Sequence, residues 1–533
     1  MEFGNEVAQA RRVMQNEKIV YKDYLPESAI QAGINVVKKT RDLWEEVRRT
    51  ILSLLKDEIP YESPHAAVWW YSVLLGIEKE SKVFEEFIKY IRGHRDSFSP
   101  NTQFFLYSQL YSLFFRYRQL DCMQNKIELW SFYTEIVSQF AEQLHTPLEE
   151  IPFDSRKEQI LVITEQFLFV RHGPTKTALD RCKTLMTKMG RDVLLLNTAE
   201  LLSGIGGIPF YECVEATYDP SKSSEKEQWW KGVPIPYFQC ENIMPDLGVM
   251  DALVEAVREL APSWAVLIGG CGVFGSLIGK MVPTITVGTV PSELAITNAK
   301  YQTLGRKLHS EDIHILRQMG FTEQNVIEGI FTSSLKSQEE HITREALEVP
   351  KQDFLVIVVG ARLDSEVTDA FLRMLEEIVQ ADMFIGFLGV FDSYSRRIHK
   401  FPHLEKKSAY LGFCQDILSR LELCDLYVNP IRKGGGTSCV EAMYKGIPVV
   451  TVDYGDVSVN AGKDFCVEDY KEMQGKILKY YNDKEYYREM SEKAVKRAKI
   501  LLDTETEFVR IMQEAIRREE TDAGIGTDKI SGK

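Results

Sequence analysis

The sequence predicts an α/β chain: two Rossmann-like domains facing a cleft, preceded by an all-helical N-terminal domain. Two observations carry this. Strand-like apolar runs alternate with helical patterns twice over, starting at Gln159–Thr164 and again at Phe354–Val359. Such alternation builds a parallel sheet covered by helices on both faces. Before them, residues 1–150 repeat apolar side chains every three to four positions with hardly a strand signal, the period of helices packed on one face.

The elements follow in order. Ala29, Ile30, Val36, Val37, Leu43, Val47, Ile51, Leu54 and Leu55 mark the first helical face. Similar patterns cover 66–92, 101–118 and 124–146, with Pro60, Pro64 and Pro100 as breaks. No fixed repeat period emerges. The texture changes near Pro152: strand 159–164, helix 178–189 and strand 193–196 form a βαβ unit, and further strands are expected at 265–268, 284–287 and 326–327. The polar stretch Ser221–Lys231 shows no regular pattern. A second start near Pro350 gives strands at 354–359, 383–388, 408–412, 426–428 and 449–452, a helix at 364–379, and a helical close over 469–520. The expected domains are thus 1–150, 151–348 and 349–520, with 521–533 a disordered tail.

Composition narrows the function. Asp plus Glu (78) exceeds Lys plus Arg (64), a formal charge of −14 over 533 residues. That balance disfavours a sequence-independent nucleic-acid binder or a protein docked on anionic lipid. A single anionic ligand remains open, because a few local cations and backbone amides suffice for one. The nine cysteines are scattered without a Cys-x-x-Cys pair, which predicts a reduced, cytoplasmic protein with neither a disulfide framework nor a zinc site. No His/Cys/Asp cluster shows metal-ligand spacing, so no bound metal is expected. No signal peptide and no membrane-spanning run of 18 apolar residues is expected.

The densest chemistry lies in Asp425–Val450, where a strand ends at Asn429-Pro430 and runs into Arg432-Lys433-Gly434-Gly435-Gly436-Thr437-Ser438 and then Glu441. Three glycines bring bare amides together, and a glycine turn feeding a helix N-terminus attracts anions. Arg432 and Lys433 are expected at the rim, and Thr437 or Ser438 as the cap of the helix carrying Glu441. A carboxylate one turn into that helix suits the paired hydroxyls of a ribose. The plainer reading is a structural left-handed turn before a capped helix. The order of residues is not that of a Walker loop.

This segment resembles the donor-binding domain of GT-B glycosyltransferases, which carries a glycine-rich turn, then Glu-Ala-hydrophobic, then Gly-hydrophobic-Pro-Val-Val. Here those are Gly434-Gly435-Gly436-Thr437, Glu441-Ala442-Met443 and Gly446-Ile447-Pro448-Val449-Val450. The resemblance is carried by about 350–505, while 155–345 shows a compatible strand pattern. It implies that a nucleotide-sugar, a UDP-sugar first, is the donor substrate and that no cofactor is bound. By analogy Glu441 holds the ribose, Arg362 faces the diphosphate, and Tyr410-Leu411-Gly412-Phe413 line the base pocket. Asp456 or Asn460 would reach the sugar. Many retaining members carry a second glutamate eight residues before the first, and here that position is Lys433, a cation suited to a diphosphate leaving group. The pattern is closer to inverting members and to O-GlcNAc-transferase-like enzymes, which also have helical N-terminal domains.

The first α/β domain is expected to hold the acceptor. Its first strand leads into Glu165 and then His172-Gly173-Pro174-Thr175-Lys176, at a strand end where ligands bind in parallel sheets. His172 is the expected base or acceptor binder, with Glu165 a weaker candidate, and Thr175 and Lys176 sit beside it. Either role competes with a histidine that merely opens a helix. Gly270-Cys271-Gly272-Val273-Phe274-Gly275 matches a dinucleotide fingerprint by letter, with Glu293 near the distance of its acid. Its place in mid-domain instead suggests a close-packed turn at the cleft rim, with Gly270 and Gly272 touching acceptor. Trp229-Trp230 suits sugar or peptide contact, or packs its own loop. The expected activity is metal-independent transfer of a hexose-type sugar, with inversion, to a protein or glycan, the helical domain recruiting the acceptor, a partner protein or a second copy. Two alternatives stay open: a non-catalytic partner of another transferase, and a nucleotide-sugar epimerase.

Overall fold

In the computed structural model the described residues are 2–15, 17–19, 25–169, 172–200, 219–241, 245–270 and 272–522. Most of the expected tail, from 523 onward, lies outside them. By its contacts the chain divides into two compact units: Met1–Thr289, Ala295–Gln302 and Leu308–Val326 form the first, and Val290–Leu294, Thr303–Lys307 and Ile327–Lys533 the second.

The first unit opens with helices α1 (Glu2–Met14), α2 (Glu27–Arg41), α3 (Glu45–Glu58) and α4 (Pro64–Ile77). Helices α5 (Ser81–Gly93), α6 (Pro100–Arg116) and α7 (Met123–Gln143) complete the helical region. Helix α4 begins at the Ser63 cap, whose Oγ accepts from the Ala66 amide, and is buried from Ala66 to Ile77. The single pattern over 66–92 is in fact two helices, because the charged run Glu78-Lys79-Glu80 turns the chain at the surface.

An α/β layer follows: β1 (Lys157–Thr164), α8 (Gly173–Met189), β2 (Val193–Asn197), β3 (Glu227–Trp230), β4 (Val233–Gln239) and α9 (Leu247–Leu260). Then come β5 (Pro262–Ile268), α10 (Val273–Ile278), β6 (Thr284–Val287), β7 (Tyr301–Leu304), α11 (Ser310–Gln318) and β8 (Val326–Glu328). The sheet order is β3-β4-β2-β1-β5-β6-β7-β8. Strands β2, β1, β5 and β6 pair in parallel, and their apolar runs are buried because helices cover both faces. The unpatterned stretch before Lys231 proves to be a hairpin, β3 antiparallel to β4. Lys231 (φ 48°) and Gly232 (φ 81°) make its two-residue left-handed turn. Helix α7 is tied to this layer: the Tyr133 hydroxyl bonds the Gly272 carbonyl and Ser276 Oγ, both at 2.7 Å.

The second unit runs β9 (Phe354–Gly360), α12 (Leu363–Glu366), α13 (Asp369–Ile378), β10 (Met383–Gly389), α14 (Tyr394–Ile398), α15 (Pro402–Lys406) and β11 (Ser408–Tyr410). It continues through α16 (Ile417–Leu421), β12 (Leu426–Val428), α17 (Gly436–Tyr444), β13 (Val449–Val452), α18 (Gly455–Ala461) and β14 (Cys466–Val467). Helices α19 (Tyr470–Asn482), α20 (Lys484–Leu501) and α21 (Thr504–Asp522) close it. The helix expected over 364–379 is broken where the Thr368 side chain caps α13 by accepting from the Phe371 amide. The sheet is parallel throughout, in the order β11-β10-β9-β12-β13-β14. From β9 the chain winds one way to β10 and β11, and from β12 the other way to β13 and β14. The order therefore reverses between β9 and β12, and ligands of such sheets bind outside the strand ends at that point.

Candidate functional site: the glycine turn of the second unit

Both β9 and β12 end at this reversal point. After β9 comes Arg362, and after β12 comes Asn429 and the glycine turn. Gly435 sits at φ 98°, where a Cβ would stand 2.6 Å from Arg432 Nη2, so only glycine fits. Helix α17 then starts at Gly436, and among the described residues no side chain caps it. This corrects the expected Thr437 or Ser438 cap. Both lie inside the helix, and Ser438 Oγ bonds back to the Gly435 carbonyl at 3.0 Å and to the Tyr427 hydroxyl at 2.9 Å. An uncapped first turn keeps its amide dipoles for an anion.

Arg432 is not at the rim but buried beneath the turn. Its guanidinium bonds Glu366 Oε2 (2.6 Å), the Val359 carbonyl (2.6 Å), Asn429 Oδ1 (2.8 Å) and the Tyr427 hydroxyl (3.1 Å). Burial works against its charge, but Glu366 and Tyr427 outweigh burial and hold the guanidinium firmly protonated. Glu366 is likewise buried, and Arg432 and Arg362 keep its carboxyl below the usual range despite that burial. Arg362 Nη2 reaches Glu366 Oε1 at 2.9 Å, and its side chain is 36% exposed. Glu366 thus joins a structural arginine to one that faces solvent at the strand ends.

Lys433 is also buried, at 3% side-chain exposure, because Glu293 Oε1 meets its ammonium at 2.7 Å. Next to it, the Asp456 amide donates to the Lys433 carbonyl at 2.6 Å. Asp456 Oδ1 accepts from Ser292 Oγ (2.7 Å) and the Ser292 amide (3.2 Å). Burial pushes the Asp456 carboxyl up to about 7. Asn460 Nδ2 donates to the Gly436 carbonyl at 3.1 Å. The expected sugar contacts Asp456 and Asn460 are therefore spent, at least in part, on holding the turn. Glu441 is half-buried on α17. Gly412 takes φ 70° and accepts from the Gly389 amide through its carbonyl, and Phe413 is 69% exposed.

The first unit's reversal point lies between β1 and β5, where Glu165 and the fingerprint glycines sit. The turn's amides are already engaged: Gly272 donates to Glu165 Oε1 at 2.6 Å and Phe274 to Glu200 Oε1 at 2.9 Å. Two carboxyl groups therefore stand where a dinucleotide's phosphates would, and Glu293 belongs to the second unit. Cys271 lies outside the described residues. Burial pushes Glu200 up to about 8, with Glu165 adding to the rise and the Phe274 amide and Thr198 opposing it. Ala199, at φ 54°, is strained backbone that delivers Glu200 to this place.

His172 precedes α8, its Nδ1 lying 3.2 Å from Thr175 Oγ1, and burial lowers it to about 4. Lys176 is buried. The tryptophan pair is split. Trp229 is exposed with its indole on Glu227 (2.8 Å), whereas Trp230 is tied to Asp180 (2.7 Å) and is only half-exposed, as the alternation of a strand demands.

Glu200 provides a stability test. The folded state keeps its proton up to about pH 8, while an unfolded glutamate loses it near 4.5. Folding therefore weakens as pH rises through that window, on the order of 3–5 kcal/mol for this group. Glu200→Gln should flatten the first unit's stability between pH 5 and 8, measured by denaturant unfolding at each pH. An unchanged slope would contradict the assignment.

A largely parallel sheet with a reversal point in each unit, preceded by helices, is the architecture of the GT-B fold. Residues 339–497, which span the second sheet and its turn, match the family model described as Glycosyl transferases group 1. A mutant of the Thermobaculum terrenum O-GlcNAc transferase is similar in structure, with TM-score 0.56 and 13% identity over 98% of each chain. A glycosyltransferase from Rickettsia africae follows at TM-score 0.49 and 12% identity, covering 68% of this chain and 99% of that one. Anabaena HepE in complex with UDP gives 0.46 and 14%, covering 69% and 100%. No curated protein matches the sequence. The chain has the GT-B fold preceded by a helical region, and residues 339–497 of its second unit are similar to group 1 glycosyltransferases.

Among the described residues no group of three or more His, Cys, Asp or Glu is placed to hold a metal. No described helix is long and apolar enough to cross a membrane.

Proposed function

We propose that the protein is a glycosyltransferase that moves a sugar from a nucleoside diphosphate-sugar, with UDP the first nucleotide to test, to a hydroxyl of a protein or glycan. One observation carries this reading: the uncapped α17 N-terminus stands at the reversal point of the second sheet, with Arg362 at the neighbouring strand end. In this reading the Gly434–Ser438 amides and Arg362 take the diphosphate, Glu441 the ribose, and Gly412 and Phe413 the base. These groups neutralise the leaving diphosphate without a metal ion. The acceptor oxygen bonds to the anomeric carbon, the carbon–oxygen bond to the diphosphate breaks with its electron pair, and the acceptor proton passes to a base. We favour inversion, which anomeric analysis of the product tests.

For the acceptor end, the first unit offers Glu165, fixed by the Gly272 amide. His172, lowered to about 4 by burial, has little proton affinity and is better suited to binding. Thr175, Lys176, Trp229, Gly270 and Gly272 complete the acceptor-side proposal, and residues 1–150 recruit the acceptor. The cytoplasm is the proposed compartment, in keeping with the free thiols of the described cysteines.

The test is turnover of a panel of UDP-sugars by purified protein, read as free UDP with and without cell extract. Acceptor-stimulated release is expected. Absence of any nucleotide binding would overturn the reading. Binding without stimulated release would favour a non-catalytic partner, a reading that gains from Lys433 being engaged by Glu293.

A further inference from the structure

Glu293 comes from an unexpected part of the sequence. It lies between β6 and β7, yet Val290–Leu294 packs as part of the second unit. Three neighbours anchor this segment. Ser292 bonds Asp456 through both its amide and its hydroxyl. Arg306 Nε donates to the Ser292 carbonyl at 2.7 Å, and the Gly305 amide donates to the Pro291 carbonyl at 2.8 Å. The Glu293 carboxylate is thereby delivered to Lys433, the residue immediately before the glycine turn.

The charges decide what this pair can do. Lys433 and Glu293 cancel, so together they add no net attraction for a diphosphate. The Lys433 side chain is 3% exposed and the Glu293 side chain 19%, so Glu293 is the member of the pair whose side chain is open to solvent. A fixed carboxylate accepts hydrogen bonds from hydroxyls, and its partner cation removes the repulsion it would otherwise exert on a neighbouring phosphate. At the same turn, Asn460 Oδ1 is a buried acceptor with no donor among the described residues, and Asn460 is 1% exposed. In a nucleoside diphosphate-sugar the diphosphate carries the ribose on one phosphate and the transferred sugar on the other. With the ribose given to Glu441, the hydroxyls left for Glu293 are those of the sugar. We infer that Glu293 reads the hydroxyls of the transferred sugar and that Lys433 is the positioning residue that holds it there. This deepens the donor reading above and rests on it.

The experiment is calorimetric titration of the full chain with UDP, UDP-glucose, UDP-galactose and UDP-N-acetylglucosamine. The readout is the ratio of the Kd of the best-bound UDP-sugar to that of UDP. Glu293→Gln should raise this ratio about tenfold, or about 1.4 kcal/mol, while the Kd for UDP stays within about twofold. Lys433→Met should shift the ratio the same way, and Lys433→Arg should restore it. Equal losses for UDP and UDP-sugar would mean the pair only supports the turn and would overturn the inference. An unchanged ratio in both Glu293→Gln and Lys433→Met would do the same. Failure of the underlying donor reading looks different, because the unaltered protein would then bind neither ligand.

Discussion

Arg432→Met should destabilise the second unit by about 3–5 kcal/mol, because it strands the buried Glu366 carboxylate. The arginine makes four hydrogen bonds, to Glu366, Val359, Asn429 and Tyr427. Those partners belong to β9, α12, β12 and the turn after it, so one side chain joins both strand ends at the reversal point. Denaturant unfolding measures the loss. Removing the carboxylate as well, in Arg432→Met with Glu366→Leu, should recover part of it, since a buried pair replaced by apolar groups leaves no uncompensated charge. A single Arg432→Met variant as stable as the parent would show that the network contributes nothing.

The second large effect falls on binding. Gly435→Ala should weaken UDP at least a hundredfold while leaving most of the fold intact by circular dichroism. A Cβ there would collide with the Arg432 guanidinium at 2.6 Å, and φ 98° lies outside the reach of an L side chain. The chain must then swing the turn away from Arg432, and the α17 amides turn with it. Titration with UDP reads the effect. Normal affinity in the variant would mean that the nucleotide does not use this turn.

Much of the second unit is legible from sequence because its signals are local. Apolar runs such as Phe354–Val359 and the glycines before Glu441 each announce an element within a few residues. The rim position assigned to Arg432 failed for a reason the local pattern could not carry. Its partner Glu366 lies 66 positions away and pulls it inward. A hint did exist, since Glu366 follows Arg362 at helical i,i+4 spacing and the two pair. Glu293 had no such signal, for nothing in the run between β6 and β7 marks it as belonging to the second unit. The fingerprint at Gly270–Gly275 misleads in the opposite way: its letters suit phosphate, but Glu165 and Glu200 from other strand ends occupy its amides. The β3–β4 hairpin escaped notice because it is short and its outer face is polar or exposed, leaving little alternation to read.

The most direct test of the account is a crystal structure of the protein with UDP. The diphosphate is expected on the amides of Gly434–Ser438 beside Arg362, with the ribose hydroxyls on Glu441. UDP bound instead at the Gly269–Gly272 turn of the first unit, or anywhere away from α17, would contradict it.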